Sequence, residues 1–302
     1  NAKRTDGLLA DTRWQLEHLG TDWTSAPSEQ TYQVWAKHRR ELIKQVGNIP
    51  TSSQENDRLR ELKGRYTGER IFVIGNGPSL NKMDLGLLKD EITFSVNGFF
   101  LKAQALDWTP TFYVVEDHLV AEDRATEIQA FKGPTKLFPV NLAYCLAEAS
   151  DTIFFDHRPR ARYPDAFDFS TDAATMTYAG CTVTFTCLQL AYYLGFKEII
   201  LIGVDADYSI PTDAISSSDY GVDVLDMSSD DPNHFDPNYF GKGYRWHDPQ
   251  VDKMVAAYAE AQRAIEGTGV RILNAGVGGK LEVFPRVDYG SLFTAADDRR
   301  DA

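Results

Sequence analysis

Cysteine is scarce in this chain and forms no pattern. Cys145, Cys181 and Cys187 are odd in number and lack CxxC or metal-ligand spacing, which excludes a disulfide framework and a cysteine-built zinc site and points to reduced, mostly structural thiols in the cytoplasm. Long apolar runs are missing too. No stretch approaches the ~18 consecutive apolar residues of a spanning helix, so no integral membrane segment is expected. No secretory signal is visible, and the chain opens without a methionine, as a fragment of a longer protein would. Positive charge is the third shortage: 31 Lys and Arg face 44 Asp and Glu, a formal net charge of −13. A phosphate backbone is recruited mainly by Lys and Arg, so a nucleic-acid partner is not expected. A single nucleotide needs only one local pocket and stays open.

What is present is ample material for a core, with 43% hydrophobic residues in a chain of 302. That length suits one large α/β domain or a domain with an appendage. A boundary falls near residue 65. Before it, Trp14, Leu16, Leu19, Trp35, Leu42 and Val46 recur at helical intervals within Leu8 to Leu19 and Tyr32 to Val46. Residues 1–65 therefore read as a helical N-terminal extension, with a loop from Gly47 to Asn56 and a short helix from Asp57 to Lys63. No chemistry is visible there. Packing on the main domain is its preferred role, with support of a homo-oligomer or the tail of an upstream domain as alternatives.

From 66 to 302, strand and helix signals alternate, the pattern of a Rossmann-like parallel sheet flanked by helices. Strands are predicted at Ile71 to Ile74, Ile92 to Val96, Phe112 to Val115, Thr135 to Phe138, Thr152 to Phe155, Glu198 to Ile202 and Arg271 to Asn274. The main helices are Thr182 to Leu194, closing at Gly195, and Asp248 to Gly267. The first strand runs into Gly75-Asn76-Gly77-Pro78-Ser79. Its glycines permit close approach to a phosphate or sugar, and Pro78 and Ser79 suit the first turn of a helix whose amides favour an anion. In open parallel sheets, ligands collect beyond the carboxyl ends of strands. Asn97, Glu116, Asp117 and Gly203-Val204-Asp205 lie at such ends.

Ile74-Gly75-Asn76-Gly77-Pro78-Ser79-Leu80, Ser95-Val96-Asn97, Leu194 to Ile199 running to Gly203-Val204-Asp205, and Asn233-His234-Phe235 follow one another in order. Together they resemble the bacterial sialyltransferases of glycosyltransferase family 42, and at least as much the related domain of motility accessory factors and polysaccharide-biosynthesis proteins. The resemblance covers residues 70 to 290. It implies a sialyltransferase-like GT-A variant and a metal-independent, inverting transfer from a nucleotide-sugar donor, foremost a CMP-linked acidic sugar, to a hydroxyl of a bacterial surface-glycan acceptor. No cofactor or metal is implied. His234 is the implied base, its unperturbed pKa of about 6.5 suiting proton abstraction near neutral pH, with His247 as rival and His118 as a binding group. Tyr208, and more distantly Tyr220, would donate to the leaving phosphate. The donor would be held by Gly75, Asn76, Gly77, Pro78, Ser79, Asn97, Thr182, Thr184, Gly203 and Asp205. Glu116 and Asp117 are expected to hold the donor with them, although they stand where the family carries an asparagine.

Ile210 to Tyr239 is long, polar and rich in aspartate. A lid that excludes water is preferred there over a metal site, because the acids lack calcium-loop spacing. Lys242 and Arg245 could meet an anion or form surface salt bridges. Asn274 and Gly276 could border the pocket. Two alternatives remain: an ATP- and Mg²⁺-dependent 6-hydroxymethylpterin diphosphokinase-like enzyme, with the aspartate-rich segment as its metal site, and a non-catalytic nucleotide-binding scaffold.

Overall fold

Ile71 and Val73 face one way and Phe72 and Ile74 the other, yet all four are buried. A strand apolar on both faces belongs in the middle of a parallel sheet covered on both sides, and the computed structural model has that arrangement. It describes residues 51, 53–158, 166–210, 212, 215–217 and 224–294. The predicted helices before residue 50 and Tyr220 lie outside the described residues.

Helix α1 (Ser53–Arg60) leads into β1 (Arg70–Ile74), β2 (Thr93–Val96), β3 (Phe112–Val114), β4 (Thr135–Pro139) and β5 (Thr152–Phe155), which step outward in one direction. After the short pair β6 (His157–Arg158) and β7 (Thr177–Tyr178), the chain crosses back through α5 (Val183–Leu194) to β8 (Glu198–Ile202), on the other side of β1. Strand β12 (Arg271–Asn274) closes that edge, giving the seven-stranded order β12-β8-β1-β2-β3-β4-β5. Every pairing in it is parallel. This is the expected Rossmann-like α/β fold, and the order of strands reverses at β1 and β8, where such sheets open a crevice.

One core lies under α5 and α6 (Val251–Ala264), built on Ile71, Val73, Ile199, Leu201, Phe185 and Tyr258. The opposite core gathers Phe72, Ile74, Tyr113 and Phe138 beneath short elements, among them α2 (Phe100–Ala103), α3 (His118–Asp123) and α4 (Ala125–Ala130). Helix α5 starts at Thr182, whose hydroxyl caps the Thr184 amide, and stops at Gly195 in the left-handed region (φ 96°). There a Cβ would press on Thr67 Oγ1 at 2.9 Å. The last helix is short: α7 (Ser291–Thr294).

Several boundaries differ from expectation. The second strand begins at Thr93 and the third ends at Val114, where parallel pairing stops. The last long helix is Val251–Ala264 rather than Asp248 to Gly267, because Pro249 breaks helical bonding before it and Gly267 is left-handed after it. The predicted lid is corrected in part. Its described residues include β9 (Ile215–Ser217) and β10 (Val224–Asp226); β10 pairs antiparallel with β9 on one side and with β11 (Arg245–His247) on the other, forming a second sheet. Phe235, Tyr239 and Phe240 are buried, so 227–240 packs as core rather than as a loose cover.

Candidate active site

The glycine loop after β1 does not wait open for an anion. Gly75 N donates to Ile202 O (2.8 Å), Gly77 N to Gly203 O (2.8 Å) and Ser79 N to Asp205 Oδ2 (3.0 Å), while Ser79 Oγ donates to Asp205 Oδ1. The Asp205 carboxylate thus takes the amide expected to bind phosphate. Pro78 and Ser79 open a 3₁₀ helix of five residues (Pro78–Lys82), not an α-helix, and neither lines the cavity. Glycine is required by the neighbouring loop: a Cβ on Gly75 would sit 2.4 Å from Gly203 O, and one on Gly77 2.4 Å from Asp205 Oδ2. The expected anion role of Pro78, Ser79 and the loop amides is corrected to a structural one. The backbone of Gly203 has the same zipping role.

Beside this closed loop lies a cavity of about 480 Å³, in the range of small-ligand sites. It brings together Gly75, Asn76, Gly77, Asn97, Glu116, Asp117, Thr182, Thr184, Gly203, Asp205, Tyr208 and His234. Tyr220 lies outside the described residues. Asn76 Nδ2 donates to Val96 O and to Tyr239 Oη, both at 2.9 Å. A carbonyl only accepts, so the amide's orientation is fixed, and its buried Oδ1 is left without a partner. Asn97 Oδ1 is in the same condition, on a backbone held at φ 46°. Two unmatched acceptors in one cavity suit a ligand bearing hydroxyl or amino donors.

His234 lines the same cavity, next to Asn76 through Tyr239. Its Nδ1 is 2.7 Å from Asp231 Oδ2, and Asp231 also accepts the amides of Asn233 (2.8 Å) and Phe240 (3.0 Å). Surrounded by donors, the carboxylate accepts from Nδ1–H, which leaves Nε2 as the ring's acceptor. The imidazole stacks on Tyr239 (4.1 Å, 1°) and meets Phe240 and Trp246 edge-on. Asn233 fixes the segment by accepting from Ser209 N (2.7 Å) and donating to Ser209 O (2.8 Å). Burial, reinforced by Tyr258 and the acids Asp205 and Asp231, raises the Tyr208 hydroxyl's pKa; burial raises Tyr239 likewise and pushes Tyr258 up to about 12. All three are therefore hydroxyl donors at neutral pH.

Glu116 is engaged by Thr186 Oγ1 (2.6 Å) and by His157 Nε2 (3.3 Å). Asp117 caps α3 through Leu119 N (2.8 Å) and faces His247 Nδ1 at 3.0 Å. Burial opposes its ionisation, but His247 and His118 outweigh that and hold its pKa well below the usual carboxylate range. Arg245 is not a cavity group. It is buried against Glu122 (3.0 Å) and Asp123, and Lys242 is exposed. Asn274 and Gly276 also leave the pocket, tied into the turn by Asn274 Nδ2 to Leu281 O and Gly276 N to Asn274 Oδ1, both 2.9 Å. Among the described lining residues there is no Lys or Arg. Sequence reading missed Asp231, Tyr239, Trp246 and Tyr258 as site residues; the Asp-x-x-His spacing of 231 and 234 was the available sign.

A family model described as 6-hydroxymethylpterin diphosphokinase MptE-like matches residues 42–211. Among solved structures, one described as MAf glycosyltransferase from Magnetospirillum magneticum AMB-1 is similar, with 15% identity and a TM-score of 0.46 over 91% of this chain. The match spans 45% of that protein's length. Comparison with curated proteins gives no match. Neither of these two descriptions names a family 42 sialyltransferase.

Proposed function

The chain belongs to the 6-hydroxymethylpterin diphosphokinase MptE-like family, and from that premise and the cavity we propose a transferase acting on a nucleotide-activated substrate. The leading reading is an inverting glycosyltransferase whose donor is a nucleotide sugar, first a CMP-linked acidic sugar, and whose acceptor is a glycan hydroxyl. The observation that carries it is the buried Asp231–His234 pair opening on the cavity. As an acceptor hydroxyl oxygen attacks the anomeric carbon, its proton passes to His234 Nε2. The carbon–oxygen bond to the donor phosphate breaks, and the nucleotide leaves with the electron pair. Tyr208, which lines the cavity and is kept protonated, would donate from Oη to that phosphate. Thr182 and Thr184 also line the cavity.

An ATP-dependent diphosphokinase is the second reading, favoured by the description of the family model; Asp117, His118 and His247 cluster in the same cavity closely enough to hold a metal ion. Mg²⁺ itself fits them poorly, since it prefers an octahedral shell of oxygen ligands and two of the three groups are imidazoles. A thermal-shift panel of CMP, CDP, UDP, GDP and ATP, each with and without Mg²⁺, separates the readings, because a native-state ligand raises the melting temperature. Selective stabilisation by CMP supports the glycosyltransferase. Stabilisation by ATP alone, and only with Mg²⁺, replaces it with the diphosphokinase.

A further inference from the structure

We propose that Asp117, His118 and His247 form a binding site for one first-row transition-metal dication, of the Zn²⁺, Mn²⁺ or Co²⁺ class. The proposal stands on geometry and charge, independently of the transferase reading, and departs from the metal-independent site expected from sequence.

The three groups come from two separate pieces of chain. Asp117 and His118 follow β3 at the start of α3, and His247 ends β11. One ligand atom from each lies within 4.8 Å of the others. Bonds of about 2.1 Å place neighbouring ligands ~3.0–3.4 Å apart and opposed ones ~4.2 Å apart, so His247 Nδ1 and Asp117 Oδ2, 3.0 Å apart, already have the spacing of two adjacent ligands. The His118 and His247 rings are 5.0 Å apart at 63°. Asp117 Oδ1 is held by the Leu119 amide, which leaves Oδ2 toward the cluster.

The surroundings fix this arrangement. Arg245, two residues before His247, is clamped by Glu122 and Asp123 of α3, so the strand carrying one histidine is bound to the helix that begins with the other two groups. Supporting contacts of this kind orient metal ligands. The cavity also lacks counter-charge: Glu116, Asp117, Asp205, Asp207 and Asp248 line it, and among the described lining residues no Lys or Arg does. A dication at one wall offsets those carboxylates. Two imidazoles and one carboxylate select first-row transition metals over Mg²⁺ or Ca²⁺. Three protein ligands leave coordination positions open toward the cavity, as in sites that bind substrate or water.

The test is titration of the chelator-treated full chain with Co²⁺, followed by visible absorption and equilibrium dialysis. One Co²⁺ per chain is expected. Asp117→Asn keeps an N-cap acceptor and so preserves the helix start; with His247→Gln and His118→Ala it gives three separate ligand removals, each checked for native melting. Loss of outer-shell partners alone costs metal sites 10–100-fold, so each removal should weaken binding at least ~100-fold. Absence of saturable binding up to millimolar Co²⁺ overturns the proposal, as does binding of unchanged tightness in the folded variants. His234→Gln should keep Co²⁺ binding. Its effect on sugar transfer tests the transferase reading separately, so either idea can fail alone.

Discussion

Two segments pack against each other beside the cavity, Phe235 N donating to Asn76 O (2.8 Å) and Asn76 Nδ2 to Tyr239 Oη (2.9 Å), and they divide the work differently from what their sequences advertise. Residues 75–80 carry the conspicuous glycines, yet the amides of Gly75, Gly77 and Ser79 and the Ser79 hydroxyl are consumed by Ile202, Gly203 and Asp205, and it is Asn76 that keeps an unpartnered acceptor. Residues 227–247 look like a polar insertion, yet they deliver Asp231, His234, Tyr239 and His247 to the cavity region on a buried aromatic base. Conspicuous glycine can mean that two backbones must touch. A ligand is only one of the things that needs such an approach.

The comparison predicts that changes in the second segment act on rate and changes in the first on stability. The largest effect belongs to His234→Ala: under the glycosyltransferase reading, transfer should fall by about 10²–10⁴-fold, the usual contribution of a positioned base, with nucleotide-induced stabilisation retained. Asp231→Asn should lose less and move the pH–rate profile, because it disturbs the ring's orientation rather than removing the base. Near-normal turnover in His234→Ala would remove the base assignment and, with it, the functional half of the comparison.

Next comes Gly75→Ala. Its Cβ would lie 2.4 Å from Gly203 O, a backbone atom tied into the sheet, so a cost near the upper end of ~1–3 kcal/mol is expected in urea unfolding. A stable Gly75→Ala protein with impaired nucleotide binding would reverse the comparison and return the loop to a ligand role.

The sheet was legible because its strands are apolar on both faces and its helices are punctuated by Thr182 and Gly195. Local composition decides such features. The cavity wall was legible at Asn76, Asn97, Glu116, Asp117 and Asp205 because a parallel sheet puts strand ends together. What could not be read was pairing between distant residues: Ser79 with Asp205, Asp117 with His247, Arg245 with Asp123. Each joins positions more than 100 apart, and nothing in either local stretch encodes the partner. Asp231 was hidden for another reason, since one buried aspartate among many exposed ones has no compositional mark.

Alkaline unfolding sharpens the contrast less strongly. Burial raises the pKa of Tyr208, Tyr239 and Tyr258, the last to about 12. With folded pKa values above the unfolded value near 10, these groups favour the fold fully below about pH 10, and that stability is lost as pH rises toward and through the folded values. Stability should decline between about pH 10 and 12. Tyr258→Phe should flatten that decline; an unchanged slope would mean that Tyr258 titrates normally.

The smallest effect should come from Asn97, the one residue for which the two segments' roles meet. It sits on the sheet side, but its left-handed backbone (φ 46°) and its buried, unpartnered Oδ1 are both costs that the fold does not recover. Under the transferase reading, a ligand donor would meet that oxygen. Asn97→Gly relieves the backbone and removes the orphan acceptor, while glycine's extra freedom in the unfolded chain works against it. The net change should be an increase of less than about 1 kcal/mol. Affinity for the stabilising nucleotide should fall about tenfold, the worth of one hydrogen bond. Higher stability with weaker binding, measured on the same sample by melting with and without nucleotide, marks Asn97 as a binding residue; lower stability with unchanged binding makes it part of the scaffold, like Ser79.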